Sequence, residues 1–151
     1  MTDIEGSTEA AAGMGDARWR EIIEAHDAAA ARAIAREGGT LVKTMGDGVL
    51  ATFGGPSRAV ACAKRLKSDA AELGLTVRAA VHTGECERRG QDISGIAVNV
   101  AARILDATPG GACHVSTTVR DLTAGSGLQF VPAGSHHFKG VSGDWELYAV
   151  S

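Results

Sequence analysis

The sequence has few aromatic residues and no excess of basic charge. Phe, Trp and Tyr make up only 4% of the 151 residues, so a deep pocket walled by aromatic rings is not expected. The 15 Lys and Arg residues are outnumbered by 18 Asp and Glu residues, which gives a net charge of −3. Because broad nucleic-acid-binding surfaces are basic, we expect no nucleic-acid partner.

Signals for export, membrane insertion and disulfide bonding are also missing. No apolar stretch approaches the roughly 20 residues that span a bilayer, and the N-terminus lacks a basic segment followed by an apolar one. The three cysteines, Cys62, Cys86 and Cys113, are an odd number without Cys-x-x-Cys spacing. That pattern argues against a disulfide framework and against a Cys-based zinc site. We therefore expect a cytoplasmic protein without a membrane segment.

What the chain does contain is a regular succession of helix and strand patterns over the length of one domain. Apolar residues at helical spacing predict helices over residues 16–37, 56–73 and 96–107. Two β-prone runs around Gly46-Asp47-Gly48 predict a hairpin, and residues 75–81 predict another strand. The C-terminal third predicts short strands and one short helix, over residues 112–116, 117–122, 128–131, 136–139 and 145–150. This order predicts an α+β sandwich, with helices packed on an antiparallel sheet.

Two aspartates lie in settings that suit a divalent cation. Asp3 ends an apparently shortened strand, and Asp47 lies between two glycines at the tip of the predicted hairpin. Mg²⁺ and Mn²⁺ prefer carboxylate oxygens, with substrate phosphates completing the shell. The stretch Gly6-Ser7-Thr8 turns into a helix and could offer backbone N–H groups to phosphate oxygens. Asp-Gly turns are common, however, so a plain turn and a terminal charge account for the two aspartates at least as well.

Asn99 and Arg103 form a second candidate pair. They are four residues apart on a predicted helix and so share one face. Arg103 could stabilise charge on a reacting phosphoryl group, and Asn99 could orient a sugar. An exposed polar stripe opposite the core-facing Val98, Ala101 and Leu105 is the simpler interpretation of the helix taken alone.

Four segments of the chain, taken together, resemble the signature blocks of the class III nucleotidyl cyclases. They are Thr-Asp-Ile-Glu-Gly-Ser-Thr (2–8), Val-Lys-Thr-Met-Gly-Asp-Gly (42–48), Val-Arg-Ala-Ala-Val-His-Thr-Gly (77–84) and Gly-Ile-Ala-Val-Asn-Val-Ala-Ala-Arg (95–103). They occur in the family's order with plausible spacing, and Phe138-Lys139-Gly140 adds a C-terminal block. Each block alone is common, but all of them together make chance agreement implausible. The blocks most resemble those of bacterial, especially actinobacterial, members.

The resemblance implies an adenylate cyclase, which converts ATP to 3′,5′-cyclic AMP and pyrophosphate. It implies a ferredoxin-like sandwich over residues 1–151, a single catalytic domain whose antiparallel sheet has helices packed on one face. In this family an apolar strand ending in an aromatic residue precedes the metal-binding Asp. Met1 stands where that aromatic would be, so we expect a shortened N-terminal strand and a less rigid Asp3.

The resemblance also assigns ligands to the metal ions and to the purine. Asp3 and Asp47, with the backbone carbonyl of Ile4, would bind two divalent cations, Mg²⁺ or Mn²⁺. Lys43 would contact the purine ring, and Asp92 would accept a hydrogen bond from the exocyclic amine. A Lys donor with an Asp acceptor fits adenine, whereas guanine reverses the pattern, so ATP is the expected substrate.

Further residues match the positions that bind the ribose and the phosphates. By resemblance, Asn99 would position the ribose and Arg103 would stabilise the transition state at the α-phosphorus. Arg78 and Lys139 would bind the terminal phosphates. The family works as head-to-tail dimers, which implies a homodimer with shared sites. One protomer would supply Asp3, Asp47 and Arg78, and its partner would supply Lys43, Asp92, Asn99, Arg103 and Lys139.

Two other functions stay open at this point. One is a catalytically silent module for nucleotide binding or dimerisation, and the other is a guanylyl cyclase. Four histidines, His82, His114, His136 and His137, are expected to have surface or structural roles, because no matching ligand set surrounds them.

Overall fold

The computed structural model describes residues 1–151 and contains a seven-stranded sheet, a separate two-stranded ribbon and five helices. The helices are α1 (Ser7–Met14), α2 (Asp16–Arg36), α3 (Pro56–Glu72), α4 (Ile96–Asp106) and α5 (Thr117–Leu122). The strands are β1 (Thr2–Ile4), β2 (Thr40–Met45), β3 (Gly48–Thr52), β4 (Val77–Val81), β5 (Glu87–Arg89), β6 (Asp92–Ser94), β7 (Cys113–Ser116), β8 (Phe130–His137) and β9 (Asp144–Val150). None of the helices is both long and apolar enough to cross a membrane.

The strands of the large sheet lie in the order β2-β3-β1-β4-β7-β9-β8, and β5 pairs with β6 in the ribbon. Neighbouring strands are antiparallel except for β4 and β7, which run parallel. The parallel pair arises because the chain leaves β4 and returns to β7 through the ribbon and α4, a crossover connection. The predicted α+β fold is confirmed, with one parallel pair in an otherwise antiparallel sheet.

Alternation along β4 assigns side chains to the two faces of the sheet. Val77 and Ala79 belong to the buried clusters that include α2 and α3 residues. Ala80 points the other way and clusters with Val100 of α4. The helices α2, α3 and α5 therefore cover one face, as predicted, whereas α4 covers part of the opposite face. Arg78 lies on that opposite face, between Val77 and Ala79.

The long elements follow directly from their sequence. Asp16 and Arg36 bound α2 almost where the periodicity predicts, and Pro56 begins α3 at a position where its fixed φ favours a helix start. Fully buried side chains such as Val60 and Ile104 form the core, each contributing about 1.5–3 kcal/mol by burial. The predicted hairpin is present as β2 and β3.

Two parts of the chain differ from the prediction. The runs expected at 128–131 and 136–139 are one strand, β8, whose pairing with β9 is irregular between Pro132 and Ser135. Because β8 is an edge strand, it tolerates a proline inside it, and the proline breaks the alternation that marks a strand in sequence. The β5–β6 ribbon was not predicted. Its polar, mostly exposed residues have no apolar face that sequence alternation could reveal.

Candidate active site

Asp3 and Arg78 face each other on neighbouring strands, where they are register partners of β1 and β4. The Arg78 Nε donates to Asp3 Oδ1 at 2.6 Å, and Nη2 donates to Oδ2 at 2.8 Å. Both side chains are about one-quarter exposed, at 26% and 25%. The hydrogen bond to Asp3 is the main reason that the pKa of Arg78 rises above its usual value. This two-pronged contact is the strongest kind of arginine–carboxylate pairing.

Asp47 lies in the turn between β2 and β3, which the sheet brings against β1. A side chain at Gly48 would overlap the carbonyl oxygen of Thr2, and its Cβ would lie 3.1 Å from the Asp3 Cα. The absence of a side chain at Gly48 thus allows the turn to approach the strand that carries Asp3. Asp47 itself forms no ion pair.

The donor set here fits a divalent cation that is bound together with phosphates. Asp47 has a free carboxylate, Asp3 lies one strand away, and Ile4 adds a backbone carbonyl. No group of three or more His, Cys, Asp or Glu side chains is assembled anywhere in the chain. Mg²⁺ is commonly held by one or two carboxylates, with water and substrate phosphates in its remaining positions. The residues present match that kind of site and not a cage built entirely by protein.

Lys43 of β2 and Asp92 of β6 are brought together although they lie far apart in sequence. The Lys43 Nζ donates to Asp92 Oδ2 at 3.1 Å, and the backbone N–H of Ile93 donates to Oδ1 at 2.8 Å. The hydrogen bond from Lys43 is the main reason that the pKa of Asp92 lies below its usual value. Both side chains are about half exposed, at 44% and 51%, so the pair presents a donor and an acceptor to solvent.

Asn99 and Arg103 lie one turn apart on α4, as predicted. Asn99 is exposed, and Arg103 Nη1 lies 3.7 Å from the carboxylate of Asp106. Neither side chain forms a hydrogen bond or an ion pair with Asp3 or Asp47. Within one chain the structure therefore keeps these two predicted groups out of direct contact.

The remaining candidates for phosphate binding lie at two separate places. Helix α1 begins at Ser7, Gly6 precedes it, and no side chain caps its first turn. Its first N–H groups therefore lack intrahelical partners, as at any uncapped helix start. Lys139 is exposed in the connection between β8 and β9 and forms no ion pair. The chain does not bring Lys139 into contact with the other candidates.

One residue in this region was missed by sequence reasoning. Asp106, the last residue of α4, lies beside Arg103, and its backbone carbonyl accepts a hydrogen bond from Arg78 Nη1 at 3.4 Å. The carbonyl of Thr108 accepts from the same nitrogen at 3.4 Å. The three-residue spacing of Arg103 and Asp106 on a helix predicts that they contact each other. The contact of Asp106 with Arg78 depends on the tertiary fold.

His82 and His114 form no hydrogen bond or ion pair with the candidate ligands. His82 forms a 2.7 Å hydrogen bond through Nδ1 with Ser116 Oγ and contacts the edge of Trp145. Burial lowers the pKa of His82 and of His114. The contacts of His82 are those of a structural residue.

Comparison with known proteins identifies the family to which this fold and this arrangement of residues belong. No protein-family model matches the sequence. The chain is 30% identical over 134 residues to a protein of Rhizobium meliloti that carries an adenylate cyclase name, covering 83% of this chain and 22% of the relative. It is 32% identical over 119 residues to an adenylate cyclase of Streptomyces coelicolor, covering 78% of this chain and 31% of the relative. The chain thus spans less than a third of the length of either relative.

A solved structure agrees with these sequence matches. The adenylate/guanylate cyclase/hydrolase of Silicibacter pomeroyi superimposes with a TM-score of 0.78 at 27% identity, over 99% of this chain and 92% of that one. The fold, the sequence blocks and these relatives agree. The chain belongs to the class III nucleotidyl cyclases and has the fold of their catalytic domains.

Proposed function

We propose that the chain is an adenylate cyclase catalytic domain that converts ATP to 3′,5′-cyclic AMP and pyrophosphate. The observation that supports this most directly is the Lys43–Asp92 pair, a donor and an acceptor 3.1 Å apart. Adenine offers an acceptor at N1 and a donor at its exocyclic amine, so the two side chains are complementary to its edge. Guanine offers a donor at N1 and an acceptor at its exocyclic oxygen. Lys43 would then face a donor, and Asp92 would face an acceptor.

In the reaction, the ribose 3′-oxygen forms a bond to the α-phosphorus and its proton passes to solvent. The bond from the α-phosphorus to the oxygen that bridges to the β-phosphate breaks, and pyrophosphate leaves. Asn99 orients the ribose so that the hydroxyl lies in line with the leaving group. Arg103 donates hydrogen bonds to the α-phosphoryl oxygens as their charge develops. The loss of one such donor typically costs about 10²–10³ in kcat, and we expect an Arg103 variant to lie in this range.

The terminal phosphates need cationic and N–H donors. Arg78 and Lys139 supply the cations, and the start of α1 at Gly6, Ser7 and Thr8 supplies backbone N–H groups and the positive end of a helix dipole. Two divalent cations, Mg²⁺ or Mn²⁺, would be held by Asp3, Asp47 and the Ile4 carbonyl, and would supply charge stabilisation to the nucleophile and the leaving pyrophosphate.

We further propose that the active unit is a head-to-tail homodimer in the cytoplasm. Asn99 and Arg103 make no contact with Asp3 or Asp47 of their own chain, yet the proposed reaction needs all four at one site. A two-fold dimer resolves this, because each site then takes one group from each protomer. The three cysteines are free thiols, as is usual in the reducing cytoplasm.

The activity is tested by incubating the purified chain with ATP and Mn²⁺ and measuring cyclic AMP by chromatography. We expect Asp47→Ala to lower turnover by about 10²-fold or more, because its carboxylate has no substitute in the chain. Asp144→Ala is the matched control, because Asp144 is exposed and pairs only with His137. Full turnover in Asp47→Ala would contradict the proposed metal role.

A second candidate is a catalytically silent nucleotide-binding module. Arg78 occupies both oxygens of Asp3, and a chain in which this pair persists would bind the nucleotide without binding a metal ion at Asp3. This candidate predicts ATP binding by calorimetry without any cyclic product, so the assay above separates the two functions.

A further inference from the structure

Arg78 occupies one of the two carboxylates that the proposed function assigns to the metal ions. Its guanidinium spans both oxygens of Asp3 at 2.6 and 2.8 Å. Asp47, the other carboxylate, has no cationic partner. The two candidate metal ligands therefore differ, since the carboxylate of Asp3 is neutralised by Arg78 and that of Asp47 is available.

The position of Arg78 is fixed from both sides. Its strand register places it directly opposite Asp3, and its third nitrogen points at the carbonyls of Asp106 and Thr108, each at 3.4 Å. Those carbonyls lie at and just beyond the C-terminal end of α4, where backbone oxygens lack helical partners and attract cations. The strand register and these two carbonyls therefore hold the Arg78 side chain over Asp3.

We propose that the Arg78 guanidinium occupies Asp3 in place of a metal ion until it binds the nucleotide phosphates instead. This inference rests on the proposed function. A guanidinium and a divalent cation at the same carboxylate repel each other, so Arg78 on Asp3 weakens metal binding. A triphosphate offers Arg78 an equally good two-pronged partner. Phosphate binding therefore frees Asp3, and metal binding becomes coupled to nucleotide binding in both directions.

The coupling predicts an unusual gain of metal affinity when a cation is removed. Binding of Mn²⁺ to the nucleotide-free chain is measured by electron paramagnetic resonance of the free ion. We expect Arg78→Gln to bind Mn²⁺ about 10-fold more tightly than the unaltered chain, within the usual range of coupling between two sites. A residue with a merely structural role would not raise metal affinity when it is removed.

The chain offers a close control for the loss of one positive charge. Arg120 of α5 also holds a neighbouring aspartate, donating to Asp121 Oδ1 at 2.9 and 2.7 Å, and it stacks on Tyr148 on the face of the sheet opposite Arg78. We expect Arg120→Gln to change the Mn²⁺ affinity by less than about twofold, since Arg120 pairs with Asp121 and not with Asp3 or Asp47, and exposed charges are screened by salt. Equal tightening in both variants would mean that only the net charge matters and would overturn the proposal.

A double variant tests whether the gain passes through Asp3. In Asp3→Asn/Arg78→Gln the tightening should disappear, because the released carboxylate is no longer present. If Arg78→Gln does not fold, as judged by circular dichroism, Arg78→Lys serves instead, since lysine keeps the charge but cannot span both oxygens. We then expect a smaller gain, of about threefold. Unchanged or weaker Mn²⁺ binding in the folded Arg78 variant would overturn the proposal.

These measurements need no turnover, so the two proposals fail separately. A chain that makes no cyclic nucleotide but gains Mn²⁺ affinity in Arg78→Gln would refute the cyclase activity and support the role of Arg78. A chain that makes cyclic AMP without this gain would refute the role of Arg78 alone.

Discussion

Lys43 and Asp92 are the two residues proposed to determine the choice between ATP and GTP. Lys43 and Asp92 hold each other at 3.1 Å with both side chains about half exposed, so a base can reach both. We predict that Lys43→Glu/Asp92→Gly raises the ratio of kcat/KM for GTP over ATP by about 10-fold or more, because a hydrogen-bonding site rejects a reversed pattern strongly. Steady-state assays with each nucleotide measure this ratio.

The ribbon that carries Asp92 also supplies the control for this prediction. Glu87 and Arg89 form an exposed ion pair at 3.5 Å on the neighbouring strand β5. The variant Arg89→Glu/Glu87→Gly makes the same changes of charge beside the site and should leave the nucleotide ratio unaltered. No shift toward GTP in the Lys43 and Asp92 variant would contradict the assignment of these residues to the base.

At the scale of residues, the sequence predicted which residues form the candidate site. It predicted only some of the contacts between them. The resemblance implied that Lys43 and Asp92 act together, and the structure joins them directly. The contact of Arg78 with Asp3 was not anticipated. It follows from the register of β1 against β4, which no local pattern reveals, because register is set by the pairing of distant strands.

At the scale of elements, α4 is the part whose placement matters most for the proposed chemistry. It carries Asn99 and Arg103, and it packs close to the segment that follows β4. A Cβ added at Gly84 would lie 2.8 Å from the Cβ of Ala97, closer than packed atoms can approach. The helix is thus held against the sheet at a point where only a glycine fits.

We predict that Gly84→Ala lowers kcat by about 10-fold or more, since a displacement near 1 Å can cost 10²-fold in rate. Turnover at saturating ATP measures the effect. Because the clash is with Ala97, the double variant Gly84→Ala/Ala97→Gly should recover much of the lost kcat, even though glycine inside a helix costs about 1 kcal/mol of stability. Equal kcat values in the single and double variants would show that α4 is not the element displaced.

The predictability of elements follows their amphipathic character. The helices α2, α3 and α4 each bury an apolar stripe, and a long stripe repeats often enough to be recognised in sequence. The ribbon β5–β6 buries no residue, so nothing in its sequence marks it as strands. No local sequence pattern predicts the parallel pairing of β4 with β7 either, because this pairing depends on how the connection through the ribbon and α4 packs.

At the scale of the whole molecule, buried basic groups give the stability a common dependence on pH. Burial lowers the pKa of His26, of His82 and of His114. When the folded-state pKa of a base is lowered, the unfolded chain binds more protons. Stability is therefore lost as the pH falls below the unfolded value of histidine, about 6.5.

We predict that the free energy of unfolding decreases from about pH 7.5 to about pH 5, as measured by urea denaturation at several pH values. His26→Leu should flatten the slope below about pH 6.5, because His26 is buried and its Nε2 has no hydrogen-bond partner. A stability that rises on acidification would contradict this account of the buried groups.

The proposed division of the site between two chains makes the whole molecule a dimer of complementary halves. Asp47→Ala damages the metal-binding half, and Asn99→Ala damages the ribose-binding half, so each variant alone should be inactive. In a mixed dimer, one site receives the intact Asn99 and Asp47 from different chains, while the other site carries both changes. With free exchange, half of the dimers are mixed, so about a quarter of the sites should be active.

The matched control mixes two variants damaged in the same half. Asp3→Ala with Asp47→Ala leaves every site without one of the two carboxylates, because both residues would come from the same protomer. Cyclic AMP formation should recover to about a quarter of the unaltered rate in the first mixture and stay absent in the second. Recovery in neither mixture, from variants shown by sedimentation to form dimers, would mean that each chain completes its own site. The dimer would then serve only to hold the fold together, and α4 would have to move to bring Asn99 to Asp47.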